Sequence, residues 1–404
     1  MNKKDILFMC QFFYPEYITS ALLPYQTAEK LANMGYKVSV LCGYPKEYMS
    51  ELKRPVAKHE KINGIEIKRV KYLQLSRGNK LSRLINYFSF VFSMLFKIHE
   101  IRHYKSIIIY SNPPILPIVA LIANKLFGTK IIFVCYDVYP EIAVNTGIIS
   151  KGSIIDKIMS AINKSLYKNA SKIIALSNEM REFIIKNRDV DAEKVEVIPN
   201  WDTNSPDNSI SNTRIKSSNE LVVTYLGNMG IPQDFDALLE VMNDTEIKQK
   251  NIKFIFAGHG NKKDMIKDYI EKHKIKNVEL HGYLQGNDFQ VILDKTDAFI
   301  LSLKDNLNGL AVPSKFYTYL SNNKPIIAII NQHSDIAKEI KEFNIGGSFS
   351  NGNATELKSY ISDLYVGFNL IDYTDLYVNY YSKEIQLEKY CVMINSMLGG
   401  NSNV

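Results

Sequence analysis

The chain has 404 residues, more than one ordinary hydrophobic core accommodates, so two domains are expected. Its 46% hydrophobic and 23% charged residues describe a soluble globular protein and exclude a disordered or fibrous one. The net charge of +7 is uneven, with +12 in residues 1–200 and −5 in the remainder, so an anionic partner (nucleic acid, lipid surface or phosphorylated compound) is expected to meet the first half.

Met1-Asn2-Lys3-Lys4-Asp5 leads directly into an apolar run at 6–10, with no cleavage site behind it, so no signal peptide is read. Short β-rich runs at 6–10, 38–41, 107–110, 131–134, 173–176 and 195–198 alternate with helix-length segments, the pattern of a doubly wound parallel sheet. Phe12-Phe13-Tyr14-Pro15-Glu16 follows the first strand, and its aromatics suit the wall of a binding site. The four cysteines, Cys10, Cys42, Cys135 and Cys391, show no CxxC or metal-ligand spacing and read as buried thiols of a reducing compartment.

Residues 84–96 are apolar around most of a helix and are flanked by Lys80, Arg83, Lys97, Arg102 and Lys105. Thirteen helical residues rise about 20 Å, short of the ~30 Å hydrocarbon core. The segment therefore cannot span a bilayer. It can lie in the interface, where each basic neighbour contributes about 1 kcal/mol against anionic headgroups; the competing reading is a buried crossover helix.

Asp137-Val138-Tyr139-Pro140-Glu141 follows the strand at 131–134, which puts Asp137 and Glu141 at the carboxyl edge of the sheet, where ligands of this architecture bind. Asp189-Val190-Asp191 spells a DxD metal motif but sits in a polar segment away from any buried strand, so no metal site is read there. The seven histidines show no HxH or HExxH spacing, and again no metal is proposed. No nucleic-acid reader motif accompanies the basic charge.

Residues 202–219, rich in Ser, Asn, Asp and Thr, read as an inter-domain linker. The strand pattern then restarts at 221–226, 252–257, 278–280, 298–301 and 326–330. Gly227-Asn228-Met229-Gly230 and Gly258-His259-Gly260 each leave the carboxyl end of a strand, where glycines let backbone N–H groups approach an anion. Neither completes GxGxxG. Pro313-Ser314-Lys315 reads as a helix start, and such a start with a lysine beside it suits a phosphate. Residues 384–397 carry the spacing of a closing helix.

Taken together, and in this order, the Pro-Glu loop after the first strand, Asp137-Val138-Tyr139-Pro140-Glu141, Ile198-Pro199-Asn200-Trp201, Tyr225-Leu226-Gly227-Asn228, Gly258-His259-Gly260, and Pro313-Ser314-Lys315 ahead of Lys324-Pro325 resemble glycosyltransferase family 4. The likeness is to the bacterial branch of N-acetylfucosamine-type transferases of capsule and O-antigen assembly. It implies an α/β GT-B fold, two tandem Rossmann-like doubly wound parallel-sheet domains with an inter-domain cleft. The first, 1–205, would take the acceptor and face the membrane; the second, 206–383, would take the donor; 384–404 would pack back on the first.

The resemblance implies a nucleotide-sugar donor, a UDP-sugar, with its diphosphate at Gly227, Asn228, Gly230, His259, Gly260, Ser314 and Lys315. Tyr283 and Leu284 would lie against the base. Lys315 would counter charge on the leaving diphosphate, and Asp137 and Glu141 would face the acceptor or the transferred sugar. No cofactor or metal is implied, because fixed donors and a cation stabilise the leaving group. The acceptor would be a polyprenyl-diphosphate-linked saccharide, reached from the cytoplasm at the inner face of the membrane, with no role for nucleic acid. Leu310 and Thr318 stand where the family carries two glutamates, which moves the sugar contacts to Asp305, Asn306 and Asn308. Two alternatives stay open: a GT-B epimerase or hydrolase of UDP-sugars, and a non-catalytic membrane scaffold.

Overall fold

The computed structural model describes residues 3–45, 56–75, 80–203, 220–367 and 372–399; all but the first two residues of the expected linker lie outside them. The chain divides into two compact units, one of Met1–Thr203, Gly309–Val312 and Lys383–Val404, the other of Asn204–Asn308 and Pro313–Ser382.

The first unit is built on β1 (Lys4–Cys10), β2 (Val38–Gly43), β3 (His59–Ile62), β4 (Ile65–Val70), β5 (Tyr104–Tyr110), β6 (Lys130–Cys135), β7 (Lys172–Ala175) and β8 (Val195–Val197). They form one sheet in the order β3-β4-β2-β1-β5-β6-β7-β8, parallel throughout except for the antiparallel pair β3 and β4. That pair was not among the expected strands. The edge strand β3 is mostly polar, His-Glu-Lys-Ile, β4 mixes Ile with Glu, Lys and Arg, and Asn63-Gly64, with φ of 47° and 80°, turns the chain between them. The central strands are apolar on both faces because helices cover both.

One face, with Ile6, Phe8, Cys10, Val40 and Ile108, packs against Leu23, Ala28 and Leu31 of the helix Thr19–Asn33 and against Leu387, Tyr390, Cys391 and Ile394 of the closing helix Lys383–Leu398. Each such aliphatic side chain, fully withdrawn from water, contributes about 1.5–3 kcal/mol. The other face carries three helices, Lys80–Leu95, Pro117–Phe127 and Ile154–Asn169, the middle one touching both of the others. Phe133 of β6 meets Tyr167 of the last of these edge to face at 5.5 Å. All four cysteines are free and buried. No helix among the described residues is long and apolar enough to cross a membrane.

The second unit holds β9 (Leu221–Leu226), β10 (Ile252–Ala257), β11 (Val278–His281), β12 (Ala298–Ser302), β13 (Ile326–Ile329) and β14 (Gly346–Phe349), all parallel, in the order β11-β10-β9-β12-β13-β14. β14 reads Gly-Gly-Ser-Phe, too small and polar to be expected as a strand. Strand order reverses at β9, so the loops after β9, β10 and β12 leave the sheet beside its topological switch point.

Candidate functional site

In the second unit the two glycine loops lace together. Gly227 N donates to Ala257 O at 2.6 Å, Met229 N to His259 O at 2.7 Å, and Lys262 N to Met229 O at 2.8 Å. Gly258, at φ +149°, lies so close to the other loop that a Cβ there would sit 1.9 Å from the Gly227 carbonyl oxygen. No residue with a side chain fits.

Gly227, at φ +113°, is crossed by the Lys315 side chain, and a Cβ on it would meet Lys315 Cε at 2.4 Å. Lys315 opens the helix Lys315–Ser321, which is held to the sheet by Tyr319. The Tyr319 ring stacks on Phe299 of β12 at 4.3 Å, and its hydroxyl accepts from Leu226 N at 3.2 Å. The ammonium of Lys315 lies 5.1 Å from the centre of the Tyr225 ring. Tyr225 is in turn fixed by donating to Asn228 O at 2.6 Å. Sequence, ring and loop thus hold one amine over the glycines.

No carboxylate or hydrogen-bond acceptor among the described residues meets that amine. Lys315 keeps some solvent contact, but protein surrounds its stem, and burial pushes its pKa from 10.5 down to about 8. A cation that is desolvated and unpaired, above backbone turned by two glycines, is a site prepared for an anion. Ser314 stands at the start of the helix in helical conformation and caps nothing with its side chain.

The remaining expected contacts lie at strand ends of the same unit. His259 is exposed and meets Tyr283, itself 48% exposed, edge to face at 5.6 Å. Leu284 beside it is half-buried. Asp305 and Asn306 are exposed in a 3₁₀ turn after β12, and Asp305 accepts from Asn331 after β13 at 2.6 Å.

In the first unit, Asp137 follows β6, where its backbone N donates to Ser111 Oγ at 3.1 Å, and it bridges to Ala311. Burial raises its carboxyl from 3.8 to about 6. Glu141 opens the short helix Glu141–Asn145 and is paired with Arg188, whose guanidinium also lies against Tyr167 and Phe183 at 5.4 and 5.8 Å. The DxD motif is used locally. Asp189 takes a left-handed backbone, φ 52°, and Asp191 caps the next turn by accepting from Glu193 N at 3.0 Å.

Sequence reasoning missed Tyr225 and Tyr319, the two rings that aim Lys315, and Arg188. Tyr225 was read only as part of the motif Tyr225-Leu226-Gly227-Asn228, and neither ring carries a sequence signal of its contact with the loop or the lysine. Arg188 lies 47 residues from Glu141, with no local signal linking them.

Comparison with known proteins places these features. Residues 24–201 match the model of Glycosyltransferase Family 4 and residues 208–367 that of Glycosyl transferases group 1. The probable glycosyltransferase WbjE of Pseudomonas aeruginosa is 23% identical over 71% of this chain and 74% of its own length. The phosphatidylinositol N-acetylglucosaminyltransferase GPI3 subunit of Saccharomyces cerevisiae (strain YJM789) is 22% identical over 73% of this chain, which spans only 62% of that protein. Among solved structures, Anabaena Alr3699/HepE in complex with UDP and glucose superposes with a TM-score of 0.69 at 14% identity, covering 97% of this chain and all of that one.

Proposed function

We propose that this chain, a family 4 glycosyltransferase of the GT-B type, moves an N-acetylfucosamine-type sugar from a UDP-sugar to a polyprenyl-diphosphate-linked saccharide in capsule or O-antigen synthesis. The observation that carries the donor reading is the unpaired Lys315 ammonium over Gly227. The diphosphate sits on the backbone of the two glycine loops and accepts from Lys315, and the developing charge on the leaving phosphate is met by a cation already in place. The complex of HepE with UDP and glucose supports uridine as the base, and Tyr283 offers it an exposed ring.

The transfer retains anomeric configuration by attack from the face the diphosphate leaves, with the leaving phosphate taking the acceptor's proton. Asp137 and Glu141 contribute to the acceptor side: the raised Asp137 carboxyl is suited to exchange a proton near neutral pH, while Glu141, held by Arg188, acts through a fixed negative charge.

The acceptor's lipid points to the cytoplasmic face of a membrane. The helix Lys80–Leu95 turns Asn86, Phe90 and Met94 inward and leaves Phe88, Phe92 and, just past its end, Phe96 each more than 60% exposed. Roughly 200 Å² per phenylalanine makes this an apolar display of the size that marks an interaction surface, and its basic flanks suit anionic lipid. GPI3, named for a phospholipid acceptor, is consistent with that reading.

The test is a transfer assay with a panel of UDP-sugars and a polyprenyl-diphosphate saccharide in anionic vesicles. A glycosylated lipid formed from one UDP-sugar is expected. Sugar released from the donor at the same rate without the lipid would overturn the transfer assignment in favour of a hydrolase.

A further inference from the structure

We propose that the helix Ile154–Asn169 is a second lipid-inserting element, so that the first unit meets an anionic bilayer along two apolar ridges rather than one. The inference rests on the membrane reading above and adds to it a surface that the basic aromatic segment does not include.

Four observations carry it. First, Ile154, Ile155 and Ile158 are 77%, 41% and 52% exposed, although isoleucine is among the side chains most often buried. Second, the helix is anchored by Met159, Asn163, Leu166 and Tyr167; at 100° per residue, Ile154, Ile158 and the exposed Ala161 fall on the side directed away from that anchor. The same construction on Lys80–Leu95 puts Leu81, Phe88, Phe92 and Phe96 opposite Asn86, Phe90 and Met94. The two stripes therefore point away from the sheet on the same side.

Third, the helix between them is mostly apolar on the side it turns away from the sheet, where Lys125 is its one charge. Pro117–Phe127 touches both neighbours, buries Val119, Ala120 and Ala123, and shows Ile118, Leu121 and Ile122 half-buried, with Leu126 61% exposed. A largely apolar floor carrying one lysine joins the two ridges. Fourth, the charge around the second ridge suits one occupant. Lys151, Lys157, Lys164 and Lys168 are exposed along it, and the single acid of the helix, Asp156, accepts from Gly152 N at 2.7 Å. Apolar side chains flanked by exposed lysines fit acyl chains under anionic headgroups.

Two ridges constrain orientation as one cannot. Contact along a single helix leaves the unit free to roll about that helix's axis, whereas a second line of contact fixes the roll and holds the carboxyl edge of the sheet, with Asp137 after β6, at one height above the lipid. A lipid-linked acceptor is presented at a fixed height, so this would matter for turnover at the membrane and not for binding of a soluble donor.

The test uses the full chain, phosphatidylcholine vesicles with and without phosphatidylglycerol, and two variant sets, Phe88→Ser/Phe92→Ser/Phe96→Ser and Ile154→Ser/Ile158→Ser. Sedimentation with vesicles is expected to show affinity for the anionic vesicles falling about tenfold or more in each set. Nucleoside diphosphate affinity is expected to stay at the wild-type value in both, which also certifies folding of the second unit; circular dichroism melting certifies the first. Wild-type vesicle affinity in the isoleucine set, with loss in the phenylalanine set, would overturn the second ridge and leave the membrane reading standing. Failure of the wild-type chain to bind any vesicle would overturn both. Ile158→Trp is a milder probe: a blue shift of its emission on anionic vesicles, over that of the buried Trp201, is expected. An unshifted emission, or a change in sedimentation coefficient showing that the ridge joins two copies of the chain, would contradict the proposal.

Discussion

Replacing Lys315 by methionine tests whether the donor site stores an unfavourable charge. The side chain keeps nearly its length and its contacts with Tyr225 and Gly227, and loses only the ammonium. In the folded chain that amine titrates at about 8 against 10.5 in water, a difference of about 3 kcal/mol against the charged form. Because Lys315 retains some solvent contact, about 1–3 kcal/mol is the expected cost to the folded state at pH 7.

The sign follows from proton counting. Between pH 8 and 10.5 the unfolded chain holds more protons on this amine than the folded chain, so wild-type stability from this group rises across that window. Lys315→Met is therefore more stable than wild type at pH 7, by roughly 2–4 °C in melting temperature for each kcal/mol, and the advantage closes as pH rises through 8 toward 10.5. Scanning calorimetry of both proteins at a series of pH values measures it. A variant less stable than wild type at pH 7, or an advantage that does not change with pH, would refute the reasoning. The same substitution is expected to reduce sugar transfer about a hundredfold, the scale of removing one transition-state donor.

Gly258→Ala is expected to abolish nucleotide binding while leaving the first unit folded, because the new Cβ would lie 1.9 Å from the Gly227 carbonyl oxygen and must displace that loop; titration and circular dichroism read the two effects. Arg188→Ala leaves the half-buried Glu141 without its cation and is expected to cost about 2 kcal/mol in urea unfolding, with Glu141→Gln/Arg188→Ala recovering part of it. Asp191→Ala removes a turn cap and is expected to cost about 1 kcal/mol without changing the transfer rate or its dependence on added divalent cations, since the DxD motif is occupied by local backbone.

Much of the fold was legible because buried parallel strands are written as predominantly apolar runs; β1, β2, β5 to β7, β9, β10, β12 and β13 all coincide with such runs. What escaped was the edge. β3 and β4 mix charged residues with Ile, and the hairpin turn Asn63-Gly64 between them went unread. β14 has glycines where a strand is expected to carry branched side chains. At the site, the glycine loops and Lys315 could be read from their positions after strands. Their mutual fit could not, because the 2.4 Å approach of Lys315 to the Gly227 Cβ position joins residues 88 apart. The aromatic helix was read as either buried or interfacial; the structure buries one stripe, Asn86, Phe90 and Met94, and leaves Phe88 and Phe92 exposed on the other, a division that the run of apolar residues does not reveal.

The most direct measurement of the central claim is calorimetric titration of UDP into wild type and Lys315→Met between pH 6.5 and 9.5. Binding a diphosphate raises the pKa of the amine above its free value of about 8, so wild-type affinity is expected to be steady below that pH and to weaken above it, by at most about tenfold per pH unit. The variant is expected to bind weakly with no such dependence. Equal affinity in the two proteins across the range would contradict the assignment of Lys315 to the diphosphate.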